Sequence, residues 1–159
     1  MAGVYAELGS TVTFSGGVNT INAVSTYDRS YGLYADSGSQ INFAGGTTSI
    51  NATAGGLSAP AYGIYADKGS SVNEPSYINF ASNLASGSIT ITANAATGNN
   101  QYGIYANDGV SHLQIDSVDV NQSAVDSELS RIVNFSTSSP SNGKAIDWVG
   151  TTSVTKNWN

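Results

Sequence analysis

Tyrosine is the residue of this chain best placed to do chemistry. Tyr5, Tyr34, Tyr65 and Tyr105 each stand before an Ala, at matching places in a motif that recurs along the sequence. A ring and a hydroxyl together suit sugar faces and protein partners, so these are the candidate ligand-binding residues. The plainer alternative is mutual support across a sheet, as in cross-strand aromatic pairs. A second set, Glu7, Asp36, Asp67 and Asn107, occupies equivalent turn positions. One carboxylate per repeat supplies too few oxygens for a calcium ion, which takes about six to eight. These residues read instead as turn formers that accept a local backbone hydrogen bond. Finally, His112, Asp116 and Asp119 lie close in sequence, with Arg131 later. On one extended strand the two aspartates face opposite sides, whereas a glycosidase needs both carboxyls flanking one bond. No Gly-x-Ser-x-Gly elbow, phosphate loop or His-Glu-x-x-His is present. No catalytic residue, metal site or cofactor is therefore expected.

A row of tyrosines requires elements that repeat, and the chain has them. Tyr31-Gly32-Leu33-Tyr34-Ala35 recurs as Tyr62-Gly63-Ile64-Tyr65-Ala66 and as Tyr102-Gly103-Ile104-Tyr105-Ala106, with a shortened copy at Gly3-Val4-Tyr5-Ala6. Behind each comes a Gly-containing turn, then Val12-Thr13-Phe14, Ile41-Asn42-Phe43 or Ile78-Asn79-Phe80, then a run such as Ile21-Asn22-Ala23, Ile50-Asn51-Ala52 or Ile91-Thr92-Ala93. Apolar and small polar residues alternate, which is the period of a strand. Three short strands per unit predict an all-β fold, a parallel β-helix (β-solenoid) of about four to five three-stranded rungs stacked about 4.8 Å apart.

Alternation assigns the faces. Val4, Leu33, Ile64 and Ile104 share a parity with the motif alanines and point inward, as do the Phe and Ile positions of the other two strands. The motif glycines and second tyrosines then form an outer strip, and the first tyrosines, Tyr31, Tyr62 and Tyr102, take an inward parity. Gly38, Gly69 and Gly109 supply positive φ at a corner. Intervals between motif glycines are 29, 31 and 40 residues, so extra residues go to loops at fixed corners. Rungs start near residues 3, 31, 62 and 102 and occupy 1–120. Residues 121–159 form an irregular continuation, a degenerate rung or a cap. Just before that stretch Val118 and Val120 are expected on the third wall. Within it are expected a short helix or turn around Val125–Ile132 and, at Arg131–Phe135, a strand like the second-wall Ile-Asn-Phe that opens a degenerate fifth rung.

Bulk composition narrows the partners. Only 10% of residues are charged, against about 25% in ordinary domains. A net charge of −6 with five scattered basic residues cannot neutralise a phosphate backbone, which argues against nucleic acid. No apolar run approaches the roughly 20 residues of a membrane span. There is no cysteine, hence no disulfide framework.

The Tyr-Gly-Ile-Tyr-Ala strand, the Asp/Asn-x-Gly-Ser turn and the Ile-Asn-Phe strand, on a Cys-free, Ser/Thr/Asn/Gly-rich acidic chain, resemble the passenger region of bacterial type V autotransporters over about residues 2–115. The resemblance implies a right-handed β-helix, exported and displayed at the bacterial surface as an adhesin or virulence factor. The expected function is non-catalytic binding of a host protein or glycan, with a structural spacer or stalk as the alternative and a carbohydrate-active enzyme fragment less favoured. Met1 lies directly against a repeat copy, so a fragment of a longer protein is expected. End-to-end self-association through the Met1 end is a further expectation, because a bare stack end leaves backbone groups unpaired.

Overall fold

The computed structural model describes residues 1–68, 74–81, 88–96 and 99–106, with the strand segments 112–115, 118–119, 133–137, 146–148 and 155–156. The chain runs through β1 (Ala2–Ala6), β2 (Thr11–Phe14) and β3 (Val18–Ser25), then β4 (Ser30–Ala35), β5 (Gln40–Phe43) and β6 (Thr47–Ala54). A third round follows as β7 (Ala61–Ala66), β8 (Tyr77–Phe80) and β9 (Ser88–Ala95), and a fourth opens with β10 (Gln101–Ala106) and β11 (His112–Ile115). Four short strands complete the set: β12 (Val118–Asp119), β13 (Val133–Thr137), β14 (Ile146–Trp148) and β15 (Thr155–Lys156). No helix occurs among the described residues.

Each round gives one strand to each of three sheets. The first sheet has the order β1-β4-β7-β10-β14-β15, the second β12-β11-β8-β5-β2 and the third β13-β9-β6-β3. Pairing between successive rounds is parallel, and like residues meet: Tyr5 lies beside Tyr34, Phe14 beside Phe43, Ile21 beside Ile50 and Ala23 beside Ala52. Inside, Leu33, Ile41, Phe43, Ile50, Ile64, Ile78, Phe80, Ile89, Ile91 and Ile104 form one core with almost no exposure. Burying each such side chain contributes about 1.5–3 kcal/mol. The Phe14, Phe43 and Phe80 rings stack at 5.3 and 5.0 Å with interplanar angles of 14° and 9°.

Simple alternation breaks once per round, at the motif glycine. Tyr31 and Tyr34 lie three residues apart, yet their rings are 5.1 Å from each other on the outer side. Leu33 between them is fully buried. A Cβ placed on Gly32 would strike Ile50 Cγ2 of the third sheet and come 2.5 Å from the Gly63 carbonyl oxygen. Gly32 and Leu33 therefore both face inward, and the residue pairing passes from Tyr31–Tyr62 straight to Leu33–Ile64. The same omission recurs at Gly3 and at Gly63. This local irregularity resembles a bulge, where an extra residue re-aims its neighbours. It corrects the outer strip expected for the glycines and the inward parity expected for Tyr31, Tyr62 and Tyr102.

Two corners are closed by tight turns that need left-handed residues. Leu8 and Gly9 have φ of 54° and 75°, and Ser37 and Gly38 have 52° and 77°. The Ser10 N–H donates to the Glu7 carbonyl and the Ser39 N–H to the Asp36 carbonyl, at 3.1 and 3.2 Å. Positive φ at both central residues is the pattern of a type I′ turn. Gly69 and Gly109 lie outside the described residues.

The later strands differ from expectation. Val118 lies on β12, antiparallel to β11 in the second sheet, with Ile115 opposite it, so it is not on the third wall. Val120 and the helix or turn expected around Val125–Ile132 lie outside the described residues. β13 pairs with β9 in the third sheet, placing Phe135 beside Ile91 and Val133 beside Ile89. The Ile-Asn-Phe likeness pointed to the second sheet instead. Period-2 patterns look alike on every wall, and the occupied edge of the second sheet decides the matter: β12 already covers β11.

Gly32→Ala is expected to destabilise the protein by about 1–3 kcal/mol or more, the cost of overpacking a filled core. Gly16→Ala, where an added Cβ meets nothing within 4 Å, is expected to be near neutral. Chemical denaturation of both variants checks the contrast.

Candidate functional site: the tyrosine face

The inward glycine puts both motif tyrosines on the outside of the first sheet. Two parallel columns result. Tyr31, Tyr62 and Tyr102 stack nearly face to face, with centroids 5.1 and 5.2 Å apart and planes within 7° and 10°. Tyr5, Tyr34, Tyr65 and Tyr105 follow at 4.9, 4.9 and 5.4 Å with tilted, edge-on and stacked geometry in turn. Cross-column contacts, such as Tyr62–Tyr65 at 5.0 Å and Tyr102–Tyr105 at 4.7 Å, join them into one field of rings.

The four tyrosines singled out from sequence share this face but not one environment. Tyr5 is 48% exposed, Tyr34 and Tyr105 are half-buried, and Tyr65 is only 7% exposed. Stacked rings use their faces on each other, so along most of the field the outside meets edges and hydroxyls. Sequence reasoning missed Tyr31, Tyr62 and Tyr102 as members of the face. The available signal was the glycine between each first tyrosine and its aliphatic, which breaks the alternation.

Charges flank the field. The Tyr5 hydroxyl donates to Asp36 Oδ2 at 3.1 Å. Asp36 Oδ1 accepts from the Ser37 hydroxyl at 3.0 Å. The Asp36 carboxylate thus serves a phenol and a hydroxyl, where a backbone amide was expected. On the other side, a hydrogen bond to the Tyr31 phenol and the nearby Tyr62 and Tyr65 favour the charged form of Arg29. Burial, then the hydrogen bond and charge of Asp36 and those of Glu7, push the Tyr5 phenol up to about 12. Tyr34, Tyr62 and Tyr65 are raised further, with burial the leading cause in each, followed by Asp36 for Tyr34, Tyr31 for Tyr62 and Asp67 for Tyr65.

The other outer faces carry less chemistry. On the second sheet the Asn79 amide donates to Asn42 Oδ1 at 2.6 Å, and the Asn42 amide to Thr13 Oγ1 at 3.4 Å. This amide row lines a groove of about 450 Å³ with Gln40, Ala44 and Ala81. At the corner between the third and first sheets the loop tips Tyr27 and Leu57 are 91% and 95% exposed.

His112 lies on β11 and Asp119 on β12, with Gln114 opposite Asp119. Asp116, Arg131 and Asn107 lie outside the described residues. Among the described residues no group of three or more histidines and carboxylates could hold a metal ion. No protein-family model, curated protein or solved structure matches the chain.

A phenol whose folded pKa exceeds its unfolded value, near 10, stabilises the fold fully below that value. Its contribution is lost as pH rises through the folded value. Stability is therefore expected to fall from about pH 10 upward through about pH 12. Tyr65→Phe, which keeps the ring and removes the titrating group, is expected to flatten that decline in thermal melts across the range.

Proposed function

We propose that this chain is a segment of a right-handed parallel β-helix of the autotransporter-passenger kind, displayed outside a bacterial cell and acting without catalysis. The observation that carries the architectural part is the in-register stacking of each round on the last in three sheets at once. Such a stack contacts only its neighbours and grows into an extended surface by repetition. Its function on this reading is contact with a host protein or glycan across the tyrosine face. Because the rings cover one another, the contact runs through phenol hydroxyls and ring edges, with the open face of Tyr5 as a stacking platform.

A second reading, a spacer that extends a distal domain, is favoured by one observation. Tyr62, Tyr65 and Tyr102 are buried to 7–8% exposure by their own neighbours, as rings that serve only to brace a sheet would be.

The two separate in a binding screen against a glycan array and host cells. Contact through hydroxyls predicts that Tyr34→Phe/Tyr105→Phe, which retains the stacks, weakens binding at unchanged melting temperature. Binding that survives the pair at full strength, or no binding by the parent chain, assigns the face to bracing.

A further inference from the structure

We propose that the tyrosine face is a site of oxidative modification, at which a one-electron oxidant joins the phenols of successive rounds into an intramolecular dityrosine link, beginning at Tyr5. The inference holds whether or not the face binds a partner. It rests on how the phenols are arranged. Tyr5, Tyr31, Tyr34, Tyr62, Tyr65, Tyr102 and Tyr105 form an unbroken chain of contacts with centroids 4.7–5.4 Å apart. An electron vacancy created on one ring can be filled from the next, so it can settle where an oxidised phenol has a base at hand to take its proton. Tyr5 offers such a base. Its hydroxyl already donates to the Asp36 carboxylate, and it is 48% exposed, within reach of a dissolved oxidant.

The step balances simply. One electron leaves Tyr5 for the oxidant while its phenolic proton passes to Asp36, giving a neutral phenoxyl radical. A second equivalent of oxidant removes one electron from Tyr34, whose ring lies 4.9 Å away, and its proton goes to water. The radicals couple through ring carbons ortho to oxygen, forming one carbon–carbon bond. Each coupled carbon then sheds its hydrogen as the ring regains aromaticity and the phenols are restored. The net change is loss of two electrons to the oxidant and two protons to solvent. Because Tyr5 and Tyr34 sit on adjacent strands, the new bond staples one round to the next.

The competing outcome is oxidation governed by exposure alone. Tyr27, at 91% exposure and outside the ring cluster, is then marked first. The test exposes dilute protein to photogenerated ruthenium(III) tris-bipyridyl at neutral pH, followed by intact-mass measurement and peptide mapping. The expected product is monomeric, lighter by one pair of hydrogen atoms, fluorescent as dityrosine and linked between the Tyr5 and Tyr34 peptides. Tyr5→Phe abolishes that link, Asp36→Asn slows its formation, and Tyr27→Phe leaves it unchanged, all with parental circular dichroism. Oxygen addition at Tyr27 as the main product, links only between molecules, or an Asp36→Asn rate equal to the parent's would overturn the proposal.

Discussion

Everything in this molecule answers to the distance set by parallel backbone pairing between successive rounds. Strands joined by hydrogen bonds lie about 4.8 Å apart, and three sheets impose that spacing simultaneously. A side chain then meets its counterpart one round away, whatever its chemistry. Phenylalanines stack, isoleucines pack, and tyrosines form columns because the backbone places like beside like. The ring spacings near 5 Å on both the inner and outer sides are this one length read in aromatic side chains. Composition follows as well. Small polar residues dominate outside because a row of like charges at that spacing would repel.

The motif glycine extends the constraint from strand spacing to sheet spacing. With hydrogen at Gly32 and Gly63, the first sheet settles against the isoleucine column of the third and against its own next carbonyl. That approach turns the following aliphatic into the same core and throws both tyrosines outward. One missing methyl group thus decides the depth of the core and the population of the outer face. The candidate site is a by-product of core packing, which explains why its middle rings are buried while its first ring is open.

Legibility from sequence tracks this division. Wherever apolar and polar residues alternate strictly, as in Ile41-Asn42-Phe43 or Ile50-Asn51-Ala52, the facing, the neighbours and the burial were all readable. In Tyr31-Gly32-Leu33-Tyr34 alternation holds for Leu33 and Tyr34 but fails for Tyr31 and Gly32, because it cannot be carried across a residue that has no side chain to point. The tyrosine columns were therefore half seen. The role of Asp36 was missed because its partner, Tyr5, lies one round away and no local turn rule reaches it. Beyond β11 the repeat gives no second copy to compare, and a strand such as Val133–Thr137 carries no mark of which sheet it joins.

The amides on the outer face of the second sheet have a direction. Asn79 donates to Asn42, and Asn42 to Thr13, while on the third sheet Asn51 donates to Asn22 at 2.9 Å. Each of these three donors points toward the lower-numbered round, opposite in sense to Asn19, whose amide donates to Thr48 Oγ1 one round on at 3.4 Å. The row behaves as a one-way chain that ends in a hydroxyl, which can accept at Thr13 without requiring a further partner of fixed sense. At the opposite end the Asn79 acceptor is buried and unmatched, and the register places Gln114 on the next strand. The amide row of the second sheet thus has a direction of its own, and its two ends are chemically unlike: one asks for a donor and the other does not.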